Sequence, residues 1–246
     1  MRRGVALLAV SGLLALSAGA LPAHAQAGRP DKNRKGESGT APAAGLLAEE
    51  KGKFRVLLDG KPTGTEEFQI SPSGNQWIAR GSTEVSLPGG GSAQVTGTLK
   101  LNADGAPVRY EWSAQGQKKA SATVEFEGGI ARMELRMEGS SPFTQEFRFD
   151  SPRVVVLDNN LYHHYAVLAR LYDPNTKGTQ TFPVLIPQDL TPGAITIESL
   201  GAQEIEGARL ELLRVRSADL EIDLYLDGRR LVRLAVPSAK VEIVRE

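Results

Sequence analysis

The chain has 246 residues, with 29 basic and 29 acidic side chains and no cysteine. Nucleic-acid binding relies on a clustered positive surface, which this balanced and alternating charge does not provide, so we expect no nucleic-acid partner. The absence of cysteine excludes a cystine-stapled scaffold and also a lipid anchor, since the lipid of a lipoprotein is carried by a cysteine. A domain of roughly 200 residues buries about 70% of its unfolded surface and can be stable without disulfides.

The first 25 residues have the pattern of a signal peptide. Arg2 and Arg3 precede an apolar run from Val5 to Leu21, which closes on an Ala-His-Ala sequence ending at Ala25. We predict cleavage after Ala25 and a periplasmic or secreted bacterial protein. Serine and glycine interrupt the run, and a membrane span needs about 20 apolar residues, so an uncleaved anchor is the weaker alternative. We therefore expect no transmembrane anchor after cleavage, and a mature chain with 27 basic and 29 acidic side chains.

The segment after the signal, residues 26–52, is rich in glycine, alanine, proline, serine and charge. Such a segment cannot bury enough apolar area to offset its ordering entropy. We predict that it is a disordered leader, in which Leu46 and Leu47 dock on the protein. The remaining residues, 53–246, are predicted to form a single β-rich domain.

Alternation of apolar and polar residues recurs through that domain. In Arg132–Glu138, for example, Met133, Leu135 and Met137 share one face of a strand, with charges on the other. Glycine-containing turns separate such runs at residues 104–105, 128–129 and 227–228. The pattern predicts a mainly β fold with roughly a dozen strands, each paired with its neighbour in the chain. So many twisted strands favour a large curved antiparallel meander or a partly closed barrel.

One segment departs from the strand pattern and predicts a mid-chain α-helix packed on the sheet. Asp158, Asn159 and Asn160 are suited to cap a helix start, and Asp173-Pro174 is suited to end it. Apolar residues recur between them at helical spacing, namely Leu161, Tyr165, Leu168 and Tyr172. On a helical wheel His164 flanks this stripe, whereas His163 points with Arg170 toward the opposite side.

The same segment is the densest local cluster of groups that can do chemistry. Adjacent histidines on a helix diverge by about 100°, so His163 and His164 cannot hold one metal ion together, and we predict no metal site. Asp158 and His164 could share a ligand only if a distant carboxylate joined them. Capping by Asp158 and packing of the histidines is the favoured interpretation over a metal or catalytic role.

Other motifs of catalysis or cofactor binding are not evident. The glycine-rich stretch at residues 88–92 lacks the ending of a phosphate loop and predicts a hairpin tip. The chain has no Gly-x-Ser-x-Gly elbow. The acidic pairs Glu66-Glu67 and Asp219-Glu221 are predicted to be solvent-facing charges on strands. We therefore expect a non-catalytic protein with no catalytic residue and no cofactor.

Three segments carry a resemblance to known proteins: Leu157–Tyr165, Gln180–Pro187 and Tyr225–Leu234. With these segments the chain resembles the uncharacterised secreted all-β module that precedes the catalytic domain in some bacterial α/β-hydrolases. More distantly, it is similar to periplasmic curved-sheet proteins of the lipoprotein-carrier type, in which a sheet surrounds a lipid-accepting concavity plugged by helices. The first resemblance implies a signature segment of unknown role, made of Asp158, Asn159, Asn160, His163, His164 and Tyr165. It transfers no catalytic residue.

Three functions remain open at this point. The first is an envelope accessory or interaction domain, which acts on an envelope protein through an exposed strand edge or loop. The second is a carrier for a lipid or another apolar ligand, and its binding face would comprise Met133, Leu135, Met137, Phe147, Phe149, Leu161, His164, Tyr165 and Leu168. The third is a hydrolase or metal enzyme that uses His164. A filled core would favour the first, a cavity under the helix the second, and acids converging on His164 the third.

Overall fold

A computed structural model of the protein describes residues 46–86, 91–116 and 118–246. The predicted signal peptide, most of the predicted leader and the tip of the glycine-rich hairpin lie outside these residues. The strands are β1 (Glu50–Leu58), β2 (Lys61–Ser73), β3 (Gln76–Ser86), β4 (Ser92–Asn102), β5 (Pro107–Gln115), β6 (Ala120–Glu127), β7 (Ile130–Met137), β8 (Phe143–Arg148), β9 (Val155–Val156), β10 (Gln180–Ile186), β11 (Thr191–Ile205), β12 (Ala208–Arg216), β13 (Glu221–Asp227), β14 (Arg230–Val236) and β15 (Val241–Arg245). A single α-helix in this part of the chain, α1, spans His163–Leu171.

The strands follow the alternation seen in the sequence. In β7, Met133 and Leu135 are buried and Arg132 is exposed, as predicted. The three glycine turns join β4 to β5, β6 to β7 and β13 to β14, and Gly105, Gly128 and Gly228 all have positive φ. These turns reverse the chain because glycine adopts positive φ without steric cost.

All fifteen strands form one sheet, in the order β8-β7-β6-β5-β4-β3-β2-β1-β15-β14-β13-β12-β11-β10-β9. Every strand pair is antiparallel except β9 with β10, which is parallel. The prediction of a curved antiparallel sheet with one helix packed on it is confirmed, and the sheet is not closed into a barrel. The predicted pairing of consecutive strands fails only between β8 and β9, which form the two edges of the sheet.

Strands β1 and β15 meet in the interior of the sheet. Their antiparallel register runs from Phe54 opposite Arg245 to Leu58 opposite Val241. The sheet therefore consists of two meanders, β1–β8 and β10–β15, joined along this one ladder. The connection from β8 through β9 to the helix leads the chain from an edge of the sheet into the core.

The helix lies within the core. All residues from His163 to Arg170 are buried, and the helix packs against β3 and β14. Tyr165 and Leu168, from the predicted apolar stripe, are almost completely inaccessible. The prediction that His163 and Arg170 face away from the core is wrong, because the curved sheet surrounds the helix on more than one side.

The first described residues belong to the folded domain. Strand β1 begins at Glu50, and Leu47 is buried in the main core. The last residues of the predicted leader, 50–52, thus lie in β1.

No helix in the described ranges has both the length and the apolar character needed to cross a membrane.

Candidate functional site

The N-terminus of the helix is capped by a carboxylate from a distant strand. Glu66 Oε2, on β2, accepts hydrogen bonds from the backbone N–H groups of Tyr162 at 2.8 Å and His163 at 3.2 Å. The prediction that the Asp158–Asn160 segment caps the helix is wrong, because no side chain of that segment bonds to the first turn. Asp158 Oδ1 instead accepts from the N–H of Asn160 at 2.8 Å, which forms a local turn.

Glu66 also holds the His163 ring. Its Oε1 lies 2.6 Å from His163 Nδ1, and both side chains are completely buried. Burial raises the pKa of the Glu66 carboxyl well above its usual range, although the two backbone N–H donors oppose this rise. Burial also lowers the pKa of His163 to about 3. Both directions favour a pair with no net charge, in which one proton lies between a neutral carboxyl and a neutral imidazole.

The His164 ring contacts the His163 ring edge-on and holds the β9 edge of the sheet. Its Nδ1 donates to the carbonyl oxygen of Val156, in β9, at 2.8 Å. Because a carbonyl can only accept, the ring is the Nδ1–H tautomer and its Nε2 carries no proton in the neutral form. Burial and the neighbouring His163 ring lower the pKa of His164 to about 3. A neutral imidazole thus covers the side of β9 that does not pair with β10.

Tyr110 and Asp158 extend the polar contacts on the far side of His164. The Tyr110 hydroxyl, from β5, donates to Asp158 Oδ2 at 2.6 Å, and the Tyr110 ring contacts His164 edge-on. The amide of Gln188 donates to the same carboxylate oxygen. Burial and the neighbouring Asp158 raise the pKa of Tyr110 well above its usual range, so the hydroxyl keeps its proton. We call Glu66, Tyr110, Asp158, His163 and His164 the buried polar cluster.

Two glycines make room for this cluster. A Cβ atom at Gly81, on β3, would lie 2.5 Å from the His163 ring and 2.6 Å from Glu66 Oε1. A Cβ atom at Gly97, on β4, would overlap Leu161 and approach the Tyr110 hydroxyl at 3.1 Å. Since real Cβ contacts are longer, the close fit of helix against sheet requires glycine at both positions.

A second polar group holds the other end of the helix. Glu50, on β1, bonds to Arg170 at 2.7 Å and to Arg245 of β15, and all three side chains are at most 10% exposed. Arg245 also lies over the rings of Phe54 and Phe68. Arg170 is therefore part of a buried ion-pair network rather than the solvated residue that the helical wheel indicates.

The structure brings together only some of the residues predicted for a ligand face. Met133, Leu135 and Phe147 are buried on the inner face of β7 and β8, and Tyr165 and Leu168 lie in the same core cluster. Met137 and Phe149 are partly buried at its margin, and Leu161 packs in a smaller cluster with Val95 and Ala114. His164 belongs to the polar cluster. Most of the predicted ligand-face residues are therefore buried in the core around the helix.

In the signature segment, Asp158, Asn160, His163, His164 and Tyr165 are buried and Asn159 is intermediate. Acidic groups do lie beside the histidines, but Glu66 bonds to His163 rather than His164. Among the residues that the structure describes, no group of three or more His, Cys, Asp or Glu side chains could hold a metal ion.

Sequence reasoning missed Glu66, Tyr110 and Gln188. For Glu66 a local signal exists, since Glu66, Phe68 and Ile70 alternate with exposed residues and all three are buried on one face of β2. The prediction of a solvent-facing charge at Glu66 is wrong for this reason, whereas its neighbour Glu67 is exposed. Tyr110 and Gln188 approach Asp158 from elements that are distant in the chain, and no local pattern marks them.

The outer surface offers a different kind of site at β8, which pairs with β7 alone. Phe143 at its start is 42% exposed, and Thr144, Glu146 and Arg148 are exposed along it. Beside this edge, the outer face of β5–β8 carries an open depression of about 640 Å³, lined mainly by paired arginines and glutamates. The strand edge is thus accessible, whereas the polar cluster is not.

Comparison with known proteins supports the fold. No protein-family model matches the sequence, and no curated protein matches it either. The fold is similar to that of a β-barrel-like protein of domain of unknown function DUF1849 from Brucella abortus, with a TM-score of 0.56 and 10% identity over 82% of this chain and 97% of that chain. A DUF1089 family protein from Pseudomonas aeruginosa has a TM-score of 0.48 and 10% identity over 71% of this chain and 90% of that chain. The likeness to the first of these two structures shows that the chain shares its curved, barrel-like fold.

Proposed function

We propose that the protein is an exported, non-catalytic interaction domain of the bacterial envelope, and that its docking surface is the exposed edge strand β8. The observation that carries this proposal is the contrast in access between the two candidate sites. Glu66, His163 and His164 are 0% exposed, whereas most of β8 is in contact with solvent.

The burial of the polar cluster argues against catalysis by His164. A general base must reach a proton of the substrate within hydrogen-bond distance. The only nitrogen of His164 that could act as a base is Nε2, and the whole ring is 0% exposed and in contact with Tyr110 and His163. The contacts of Glu66 and His163 have a structural purpose, since they cap the helix and fix it in the core.

The burial of the predicted ligand-face residues argues against the carrier alternative. A lipid carrier needs an apolar cavity of several hundred cubic ångströms. Met133, Leu135 and Phe147 instead pack on the rest of the core, and the depression beside β8 is lined mainly by charged side chains. The resemblance to lipoprotein carriers therefore supports a curved-sheet fold more than it supports the binding of a lipid.

Export and ligand content can be tested in one preparation. The full-length chain is expressed in a Gram-negative bacterium, purified natively from the periplasm, and its N-terminus is determined. The protein is then extracted with organic solvent for mass spectrometry. We expect a chain that starts at Gln26 and an extract without stoichiometric lipid. A stoichiometric lipid would establish the carrier alternative, and retention of the uncleaved chain in the cytoplasm would refute export.

The docking surface can be tested by placing a photo-crosslinking amino acid at Phe143 in cells. The matched control carries the same group at Lys61, an exposed residue at the start of β2. We expect one defined crosslinked product, identified by mass spectrometry, from position 143 and none from position 61. Equal products from both positions would contradict a docking role for β8.

A further inference from the structure

The free side of β8 has a defined set of unpaired backbone groups. The N–H of Phe149 bonds to the carbonyl of Gly129, so odd-numbered residues of this strand direct their backbone groups toward β7. In an antiparallel ladder the direction alternates along the strand. The N–H and C=O groups of Thr144, Glu146 and Arg148 therefore point away from the sheet, toward a further strand.

Glu146 and Arg148 on this edge form an ion pair at 2.6 Å within each copy, and in one register they are also complementary between two copies. A second antiparallel β8 strand must pair even-numbered residues with even-numbered residues, because only these have outward backbone groups. If the two-fold axis passes between the two Phe147 residues, Glu146 lies opposite Arg148 of the second copy, and Arg148 opposite Glu146. Opposite charges that face each other across strands contribute roughly 0.2–1 kcal/mol per pair, and like charges are destabilising.

The neighbouring registers lack this complementarity. A shift that places the axis at Glu146 sets glutamate against glutamate. The opposite shift places the axis at Arg148 and sets arginine against arginine. The charge pattern of β8 thus favours the register centred on Phe147 over both of its neighbours. The register centred on Gln145 sets Thr144 against Glu146 and brings no opposite charges together.

From these observations we propose that two copies of the chain associate through β8, as an antiparallel two-fold pair in which Glu146 of each copy lies opposite Arg148 of the other. The partner is a second copy of this chain, and the product is a continuous sheet of thirty strands. This inference rests on the proposed function, because it names the occupant of the same edge. A six-residue strand buries little area compared with the roughly 800 Å² per partner of a standard interface, so the dimer is expected to be weak and concentration-dependent.

The pairing of Glu146 with Arg148 can be tested by reversing these charges singly and together. Dimerisation of the mature chain is measured by sedimentation velocity over a range of concentrations. Glu146→Arg and Arg148→Glu should each weaken the dimer at least several-fold, because each places like charges opposite one another. The double variant Glu146→Arg/Arg148→Glu restores opposite charges and should recover dimerisation. The control Glu84→Arg, at an exposed position on β3, should have no effect. Circular dichroism of each variant verifies that the monomer is folded.

Cysteine crosslinking tests the register directly, since the natural chain has no cysteine. Hydrogen-bonded antiparallel pairs have Cα atoms about 5.5 Å apart, within the range of a disulfide. The double variant Glu146→Cys/Arg148→Cys should form a covalent dimer on oxidation, whereas Glu146→Cys alone should not.

Three results would overturn the self-pairing. They are a monomer at every concentration, a failure of the double charge swap to rescue the dimer, and efficient crosslinking of Glu146→Cys alone. If the chain stays monomeric but position 143 still crosslinks one defined other protein in cells, self-pairing is refuted and the interaction domain stands. If neither is seen, both proposals fail.

Discussion

Both edge strands of the sheet, β8 and β9, have a side with unpaired backbone groups, but only one of these sides is covered. Strand β9 has one side that does not pair with β10, and this side is covered by His164, which donates to the Val156 carbonyl. Strand β8 has one side that does not pair with β7, and this side is open to solvent. An unpaired edge tends to pair with another chain unless it is covered or charged. The protein covers one edge with its own helix. At the other edge it presents the charged Glu146 and Arg148, which restrict pairing to a strand of complementary charge.

Covering β9 depends on residues from many parts of the chain. The His164 ring is positioned by the helix, the helix is capped by Glu66 from β2, and Tyr110 from β5 contacts the ring. The edge at β8 depends on a single hairpin. We therefore expect substitutions near β9 to alter stability, and substitutions on β8 to alter association instead.

The largest effect is expected from Glu66→Ala. This change leaves the Tyr162 and His163 N–H groups and His163 Nδ1 without their partner, and each buried unsatisfied group costs about 1–3 kcal/mol. We expect a loss of roughly 3–5 kcal/mol in the free energy of unfolding, measured by urea denaturation. Glu67→Ala, the exposed neighbour on the same strand, is the matched control and should stay within about 0.5 kcal/mol.

The substitution Glu66→Gln sharpens this experiment. Glutamine resembles the neutral carboxyl in shape and can still accept the two backbone hydrogen bonds while its amide donates to His163 Nδ1. If the folded pair carries no net charge, this variant should lose only about 1 kcal/mol. A loss equal to that of Glu66→Ala would show that the native pair is ionised.

Acid should lower the free energy of unfolding of the protein through His164, the residue that covers β9. The pKa of His164 falls from its ordinary value of 6.5 to about 3 on folding, so the unfolded chain binds a proton there that the folded chain does not. Stability is thus lost as the pH falls below about 6.5. His163 likewise binds a proton in the unfolded chain but not in the folded one. The raised pKa of Glu66 has the opposite effect, since the folded chain binds a proton there that the unfolded chain does not, so the unfolded chain has one excess proton instead of two. One excess proton in the unfolded state gives a slope of about 1.4 kcal/mol per pH unit.

This acid sensitivity can be measured by urea denaturation at pH 6.5, 5.5 and 4.5. The comparison is with His164→Asn, in which the amide nitrogen takes the place of Nδ1 and can still donate to Val156 but cannot take up a proton. The difference in stability between the two proteins should change by about 2 kcal/mol from pH 6.5 to pH 4.5, because at pH 6.5 the unfolded histidine is only half protonated. Parallel pH curves would show that His164 does not titrate with a lowered pKa.

A somewhat smaller effect is expected from Gly81→Ala. The added Cβ would lie within 2.6 Å of Glu66 and the His163 ring, neither of which can move away in the packed core. Overpacking of this kind costs roughly 1–3 kcal/mol. Gly193→Ala is the control, because its Cβ would lie 3.4 Å from its nearest neighbour, Val184, and its thermal unfolding should be nearly unchanged.

The smallest effect on stability is expected at the open edge. Phe143 is 42% exposed, so Phe143→Ala should lower the free energy of unfolding by less than about 1 kcal/mol. The measurement is again urea denaturation, at a concentration where the protein is monomeric. A loss of several kcal/mol would show that this end of β8 is covered by the rest of the protein.

Strand and turn patterns were sufficient to predict the fold class, because alternation and glycine turns are local properties of the chain. The placement of His163 and Arg170 could not be predicted in the same way. A helical wheel assumes one buried face, whereas this helix is enclosed and finds Glu66 on one side and Glu50 on another. The pairing of β1 with β15 has no local signal either, since the hydrogen bond between Arg55 and Glu246 spans 191 residues.

The ladder between β1 and β15 also has a consequence for folding. Most of the other strand pairs join neighbours in the chain and can form early, because closing a short loop costs little entropy. The β1–β15 ladder must bring together segments almost two hundred residues apart, and contacts of this kind slow folding. We expect the two meanders to form first and this seam to close last. Until this ladder forms, β1 and β15 are two additional free edges that can pair with strands of other chains. The rate at which the ladder forms therefore determines how long the folding chain is open to such aggregation.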